Sequence, residues 1–286
     1  MLTIRNPAEW GVDQVRHAAD AIETVGRYTR EHWRSPAPAI RHIRFADVKK
    51  ALARGLDDFA ACRTDVVFLC VVYPVVGLIL ARFAFGEGLL PLLFPLASGF
   101  ALVGPFAAVG LYEMSRRREQ GAEVGWADAF AVVRSPAIGA IVLLGLILMA
   151  IFLAWLVAAW GIYALTLGPA QPTSLAGFAR NVLTTERGWI MIGVGIGVGF
   201  LFALLVLAIS VVSFPLLLDR EAGLETAVRT SFRAVATNPG PMAAWGLVVA
   251  VFLAVGSIPL FLGLIVVLPV LGHTTWHLYR AVVPPP

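Results

Sequence analysis

The chain of 286 residues is 59% hydrophobic and only 14% charged, with a mean hydropathy of +0.82. Soluble globular domains carry about 25% charged and 45–50% apolar residues, so this chain has too little polar surface to enclose its own core in water. A soluble domain is excluded, and the composition is that of an integral membrane protein. The net charge of +4 and pI near 9.4 do not signal nucleic-acid binding. Basic residues sit at the ends of apolar segments, as topology signals do, and form no stripe interleaved with aromatics.

Met1–Trp10 has no apolar core behind a basic region, so no cleavable signal peptide is expected and insertion falls to the first span. Asn6-Pro7-Ala8-Glu9 reads as an N-cap, a proline at the first helical position and a capping-box glutamate. Val15, Ala18, Ile22 and Val25 follow at helical spacing, and Ser35-Pro36-Ala37-Pro38 ends that helix as a linker. Residues 1–44 are therefore expected to be a cytoplasmic amphipathic segment, ahead of a membrane domain at 45–283 and a proline tail at 284–286.

A second amphipathic helix is expected at 45–63. Val48, Leu52, Gly55, Leu56 and Phe59 share one face, opposite Lys49, Lys50, Arg54, Asp57 and Asp58. Such a helix lies in the membrane interface or packs on the ends of spans.

Apolar segments follow at 66–85, 89–113, 137–165 and 189–218. Each reaches the ~20 residues that cross about 30 Å of hydrocarbon. The last apolar region, Met242–Tyr279, has 38 residues. As one helix it would be about 57 Å long at 1.5 Å per residue, too long for one crossing. Gly256-Ser257-Ile258-Pro259 divides it into 242–257 and 259–280, giving six spans. With six spans, 19 of the 22 Lys and Arg fall on one side and only Arg82, Arg180 and Arg187 on the other. By the positive-inside rule both termini are cytoplasmic.

The spans are read as three helical hairpins, each preceded by an interfacial helix. Val48-Lys-Lys-Ala-Leu52 aligns with Leu224-Glu-Thr-Ala-Val228, and Gly55-Leu56 with Ser231-Phe232. Pro105…Tyr112-Glu113-Met-Ser-Arg116 and Pro269…Trp276-His277-Leu-Tyr-Arg280 share one spacing. The middle unit, with Trp126, Ala129 and Phe130 before its first span and Pro215…Arg220 closing the second, matches more weakly. This is a parallel repeat, unlike the inverted repeats of many secondary transporters.

Three phrases are distinctive: Leu-Leu-Pro-Leu-Leu-Phe-Pro-Leu-Ala-Ser-Gly-Phe (89–100), Val-Gly-Pro-Phe (103–106) and Gly-Leu-Tyr-Glu-Met-Ser-Arg-Arg (110–117). With Gly-His-Thr-Thr-Trp-His-Leu-Tyr-Arg (272–280), they resemble a bacterial family of predicted multi-span membrane proteins catalogued as a domain of unknown function. The resemblance covers about residues 40–281. It implies an all-helical inner-membrane protein and offers no catalytic residues to carry over.

His273 and His277 are the sharpest chemical candidates, because at i and i+4 they share a helix face near a span end. Thr274 stands where an HExxH zinc site places its glutamate, so no metal is assigned. Interhelical hydrogen bonding competes with a ligand or proton role for this pair and for Glu113. A haem–copper core would need more intramembrane histidines than these two. Cys62 and Cys70 form no metal pattern and read as buried thiols.

Gly193, Gly195, Gly197 and Gly199 make two overlapping GxxxG pairs inside a span, a helix-packing face within the protein or between copies. Arg116, Arg117 and Arg118, with Trp276, Tyr279 and Arg280, are candidate lipid head-group contacts or interfacial anchors. Glu113 and Asp219 are expected to pair with Arg116 and Arg220. No Asp, Glu or Lys stands centrally in a span, and no Walker, GxSxG or Ser/His/Asp pattern is present. We therefore expect a non-enzymatic, cofactor-free accessory or scaffolding protein of the bacterial inner membrane. Its expected partners are anionic lipids at the cytoplasmic face and a membrane-protein partner or further copies of itself, not nucleic acid. The alternative is a channel or transporter for a neutral or amphipathic small molecule.

Overall fold

The structure, a computed structural model, describes residues 36–86, 90–168, 172, 174–220 and 222–285. The capping box at Asn6–Glu9, the helix expected behind it and Ser35 of the linker lie outside these residues. Every regular element among the described residues is helical.

Helix α1 (Phe45–Cys70) begins where Asp47 accepts a 2.8 Å bond from the Arg44 amide, a side-chain cap on the first turn. It bends at Cys62 (φ −111°, ψ 16°), and α2 (Val72–Gly86) follows. The buried stripe of α1 is Val48, Ala51, Gly55, Asp58 and Cys62. The polarity pattern put Asp58 on the solvent face and Leu56 inside. In the structure Asp58 is buried and Leu56 is 48% exposed. The helix is turned this way because Gly55 meets α13 (Leu264–Val282) almost backbone to backbone. A Cβ on Gly55 would stand 2.2 Å from Thr274 Oγ1 and 2.7 Å from Thr274 N.

The segment expected as one helix from 89 to 113 is interrupted. A 3-10 turn (Leu90–Leu92) leads into α3 (Leu93–Ala97), α4 (Gly99–Leu102), α5 (Gly104–Ala107) and α6 (Val109–Glu119). Pro91, Pro95 and Pro105 supply no amide hydrogen, and Ser98, Val103 and Ala108 tighten the backbone at the junctions. Bonds such as Val103 N to Gly99 O (2.8 Å) and Tyr112 N to Ala108 O (3.1 Å) carry the helical course across these interruptions.

A 3-10 helix (Trp126–Arg134) stands where the interfacial helix of the middle unit was expected, and α7 (Ile138–Thr166) follows it. Next come α8 (Leu175–Thr184), α9 (Glu186–Ser210), α10 (Ser213–Asp219), α11 (Leu224–Thr237) and α12 (Pro239–Ser257). Among the described residues three helices are long and apolar enough to cross a membrane: α7, the run Glu186–Asp219 formed by α9 and α10, and α12. Leu146, Leu153 and Val157 on α7, Ile196, Phe200 and Leu201 on α9, and Leu247, Val251 and Val255 on α12 point outward. Apolar residues exposed in this density on long helices suit a hydrocarbon solvent.

The link between α12 and α13 spans residues 258–263, longer than the turn expected at Gly256–Pro259. Leu260 (φ 53°) and Phe261 (φ 65°) adopt the left-handed conformation there. Gly256 and Gly263 close the link, since a Cβ on Gly263 would lie 2.7 Å from Gly256 Cα.

The aligned helices α1 and α11 bury the same register. Leu224, Ala227, Ser231, Ala234 and Asn238 are buried, at the positions matching Val48, Ala51, Gly55, Asp58 and Cys62. Asn238 ends the second stripe by accepting from the Ile43 amide (2.8 Å), which ties the chain entering α1 to α11.

Candidate functional site

The ends of α6 and α13 meet α1 at a cluster of buried polar side chains. Asp58 Oδ2 lies 2.8 Å from His277 Nε2 and 2.7 Å from Ser115 Oγ. Ser115 Oγ in turn lies 2.8 Å from His273 Nδ1. Arg118 closes the outer edge, with Nη1 3.3 Å from Asp58 Oδ1 and 2.9 Å from the Asp57 carbonyl.

The hydrogen-bond inventory sets the direction of these bonds. Desolvation pushes the Asp58 carboxyl upward, but hydrogen bonds from His277 and Ser115 and attraction to both imidazoles outweigh it. The carboxyl is held below the ordinary aspartate range. An ionised Asp58 only accepts, so Ser115 gives it its one proton and must itself accept from His273 Nδ1–H. That leaves His273 Nε2 as an unprotonated, buried nitrogen without a partner among the described residues. Ser, His and Asp are thus assembled in the order Asp–Ser–His. A nucleophilic serine needs its proton aimed at the imidazole, whereas Ser115 aims it at the carboxylate.

A second cluster lies at the same end of the molecule. Asp219 accepts from Tyr279 Oη (2.6 Å) and takes both Nη groups of Arg280 (2.7 Å each). Arg280 Nε and Trp276 Nε1 both reach Glu119 Oε2, at 2.8 and 3.1 Å. The Arg280 guanidinium also stacks over the Trp276 ring, 4.7 Å from its centroid. Asp219 therefore pairs with Arg280 as well as with the expected Arg220, whose Nε stands 3.6 Å from it. Trp276 and Tyr279, expected as interfacial anchors, are fully buried. Their polar atoms are held by carboxylates of other helices, which is why they turn inward.

Glu113 is nearly enclosed and takes Arg116 Nε and Nη2 (2.7 and 2.8 Å) together with Arg117 Nε (2.7 Å). Arg117 continues to Asp128 (2.6 Å). Each of Arg116, Arg117 and Arg118 thus has an internal carboxylate partner. Of Gly193, Gly195, Gly197 and Gly199, only Gly199 meets a neighbour, since its Cβ would come 3.1 Å from Trp155. Gly193, Gly195 and Gly197 face open space, with nothing within 4 Å. Cys62 and Cys70 are buried beside Leu111 and Met114.

The structure brings His273 and His277 together through Asp58 and Ser115, neither of which the sequence patterns marked. One signal was available for Asp58. Its aligned partner, 176 residues on, is Ala234, an apolar residue on a stripe that Leu224 and Ala227 define as inward.

Two cavities stand out among the described residues, and only the first borders these clusters. One, of about 270 Å³, is lined by Glu113, Arg116, Arg117, Arg134, Asp219 and Arg220, among others. The other, of about 370 Å³, is apolar and lies between Phe94, Trp155, Tyr163, Phe178 and Ile196. Neither is lined by His273 or His277.

A chain whose described residues are all-helical in their regular structure, with three helices fit to cross a membrane and outward-facing apolar surfaces, is an integral membrane protein. Residues 93–219 match the model of a family described as "Predicted integral membrane protein (DUF2189)", a family of unknown function. This is the kind of family that the phrases at 89–117 and 272–280 resemble. No curated protein and no solved structure matches the chain.

Proposed function

We propose that the protein is a non-enzymatic accessory or scaffolding component of a membrane complex in the bacterial inner membrane. The observation that carries this reading is the inward hydrogen bonding of the α1–α6–α13 junction, which leaves His273 Nε2 as its one buried nitrogen without a partner among the described residues. Asp58, Ser115 and His277 use their hydrogen bonds on one another, and neither cavity reaches the histidine pair. Buried polar groups arranged in this way hold helices in register.

In this reading six spans form three pairs, with the bend at Cys62 dividing interfacial helix from first span and the irregular rod 90–119 as the second. Arg117, Arg118, Arg220 and Arg280 gather at one end through Asp128, Asp58, Pro284 and Asp219, which supports a single cytoplasmic side for the span ends and both termini. Anionic lipids are the surrounding partners at that side.

Co-purification from mild detergent tests the role. A stable partner protein or a defined homo-oligomer is expected, and a clean monomer under several growth conditions would overturn it. The apolar cavity favours a second reading, a carrier for an amphipathic small molecule. Uptake into liposomes that is abolished by Ala159→Trp, which fills that cavity, would establish it.

A further inference from the structure

We propose that the arginine-lined cavity at the start of α7 binds a phosphate group. Three chain segments wall it: the end of α6 (Glu113, Arg116, Arg117), the bend into α7 (Arg134–Ala137) and the end of α10 (Leu217–Arg220). At about 270 Å³ it is smaller than the roughly 300–1,000 Å³ of sites for drug-sized ligands. It suits a head group rather than an extended substrate.

Four guanidiniums face two carboxylates in this wall, and both carboxylates are already neutralised. Glu113 is held by Arg116 and Arg117, and Asp219 by Arg280 and Tyr279. Two cations are left underused. Arg134 makes no ion pair with any described residue and is exposed. Arg220 Nε is a buried donor without a hydrogen-bond acceptor. Helix α7 starts beside this wall, but its entry is already held, since Ala137 donates its amide to Ser135 Oγ (3.2 Å) and Ile138 donates to the Ser135 carbonyl (3.0 Å). Guanidinium forks match a tetrahedral oxyanion.

The cavity stands where a candidate span begins, at the depth of lipid phosphates, so a phospholipid head group and a free phosphate are the two sources of one chemistry. The inference rests on the anionic-lipid contact proposed above only for the first of these.

The test uses the full chain in detergent micelles, with phosphatidylglycerol retention followed by native mass spectrometry and inorganic phosphate followed by thermal shift. Arg134→Gln is the informative variant, because Arg134 holds no ion-pair partner among the described residues and its loss leaves the ion pairs above intact. Arg229→Gln, on α11 and paired with Glu225 at 4.0 Å, is the charge control. Retention of phosphatidylglycerol that falls at least tenfold in Arg134→Gln, and not in Arg229→Gln, supports the site with a lipid ligand. A phosphate shift lost in the same variant, without lipid retention, supports it with a soluble ligand. Equal retention in both variants overturns the cavity while leaving a diffuse lipid contact standing, and no response to either probe overturns it outright.

Discussion

Asp58 and His277 stand 219 residues apart in the chain and 2.8 Å apart in the fold. The bond joins the helix that leads into the apolar segments to the helix that closes them. Asp58 also takes Ser115 and Arg118, so one carboxylate holds three helices.

Removing that carboxylate strands its donors. Asp58→Ala leaves Ser115, His277 and Arg118 without their shared acceptor, a loss on the order of 3 kcal/mol. Thermal unfolding in detergent should show a large drop for Asp58→Ala and a smaller one for Asp58→Asn, which keeps an acceptor oxygen and the shape. Equal, small losses would mean that the cluster does not hold the junction.

The same carboxyl gives a pH dependence with a defined sign. Its value in the folded protein is lowered, by hydrogen bonds and attraction that outweigh desolvation. A group depressed on folding stabilises above its unfolded value, about 3.9 for aspartate, and loses that contribution as pH falls through the folded value. Wild type is therefore expected to lose stability on acidification below about pH 4 more steeply than Asp58→Asn. Parallel acid-unfolding curves would refute this.

Two glycines should respond oppositely to alanine. Gly55→Ala places a Cβ 2.7 Å from the Thr274 backbone nitrogen, so α1 must withdraw from α13, with a cost of about 1–3 kcal/mol. Gly193→Ala meets nothing within 4 Å and gains helix propensity, up to about 1 kcal/mol. Unfolding midpoints of the two variants in the same detergent decide it. A large loss at Gly193 would instead place a second copy or partner against that face.

The link between α12 and α13 holds a strained backbone at an exposed leucine. Leu260 has φ 53° and is 67% exposed, so its side chain contributes little packing while its Cβ opposes the left-handed conformation, at about 1–2 kcal/mol. Leu260→Gly is expected to raise the unfolding midpoint slightly, and Leu260→Val to lower it. The opposite order would show that the side chain, not the backbone, matters at this turn.

Much of this architecture can be read along the chain, because the signals are local. An apolar run long enough to cross hydrocarbon is a property of consecutive residues, and α7, the run Glu186–Asp219 and α12 stand where 137–165, 189–218 and 242–257 predict them. The interruptions of 90–119 follow from Pro91, Pro95 and Pro105, which are visible in the sequence, although their extent depends on packing. The site was legible only in half. The spacing of His273 and His277 puts them on one helix face, and nothing local says what faces them.

Tertiary structure decided the rest through rotation. An amphipathic helix can settle with either flank of its apolar face inward, and for α1 the choice is made by the approach of Gly55 to Thr274. That contact turns Asp58 into the core and Leu56 outward. Composition determined that this chain must live in a membrane, since 14% charge cannot cover its surface in water. That Asp58 lies buried and paired was set by a side chain 219 residues away, because a helix face is assigned by what packs against it.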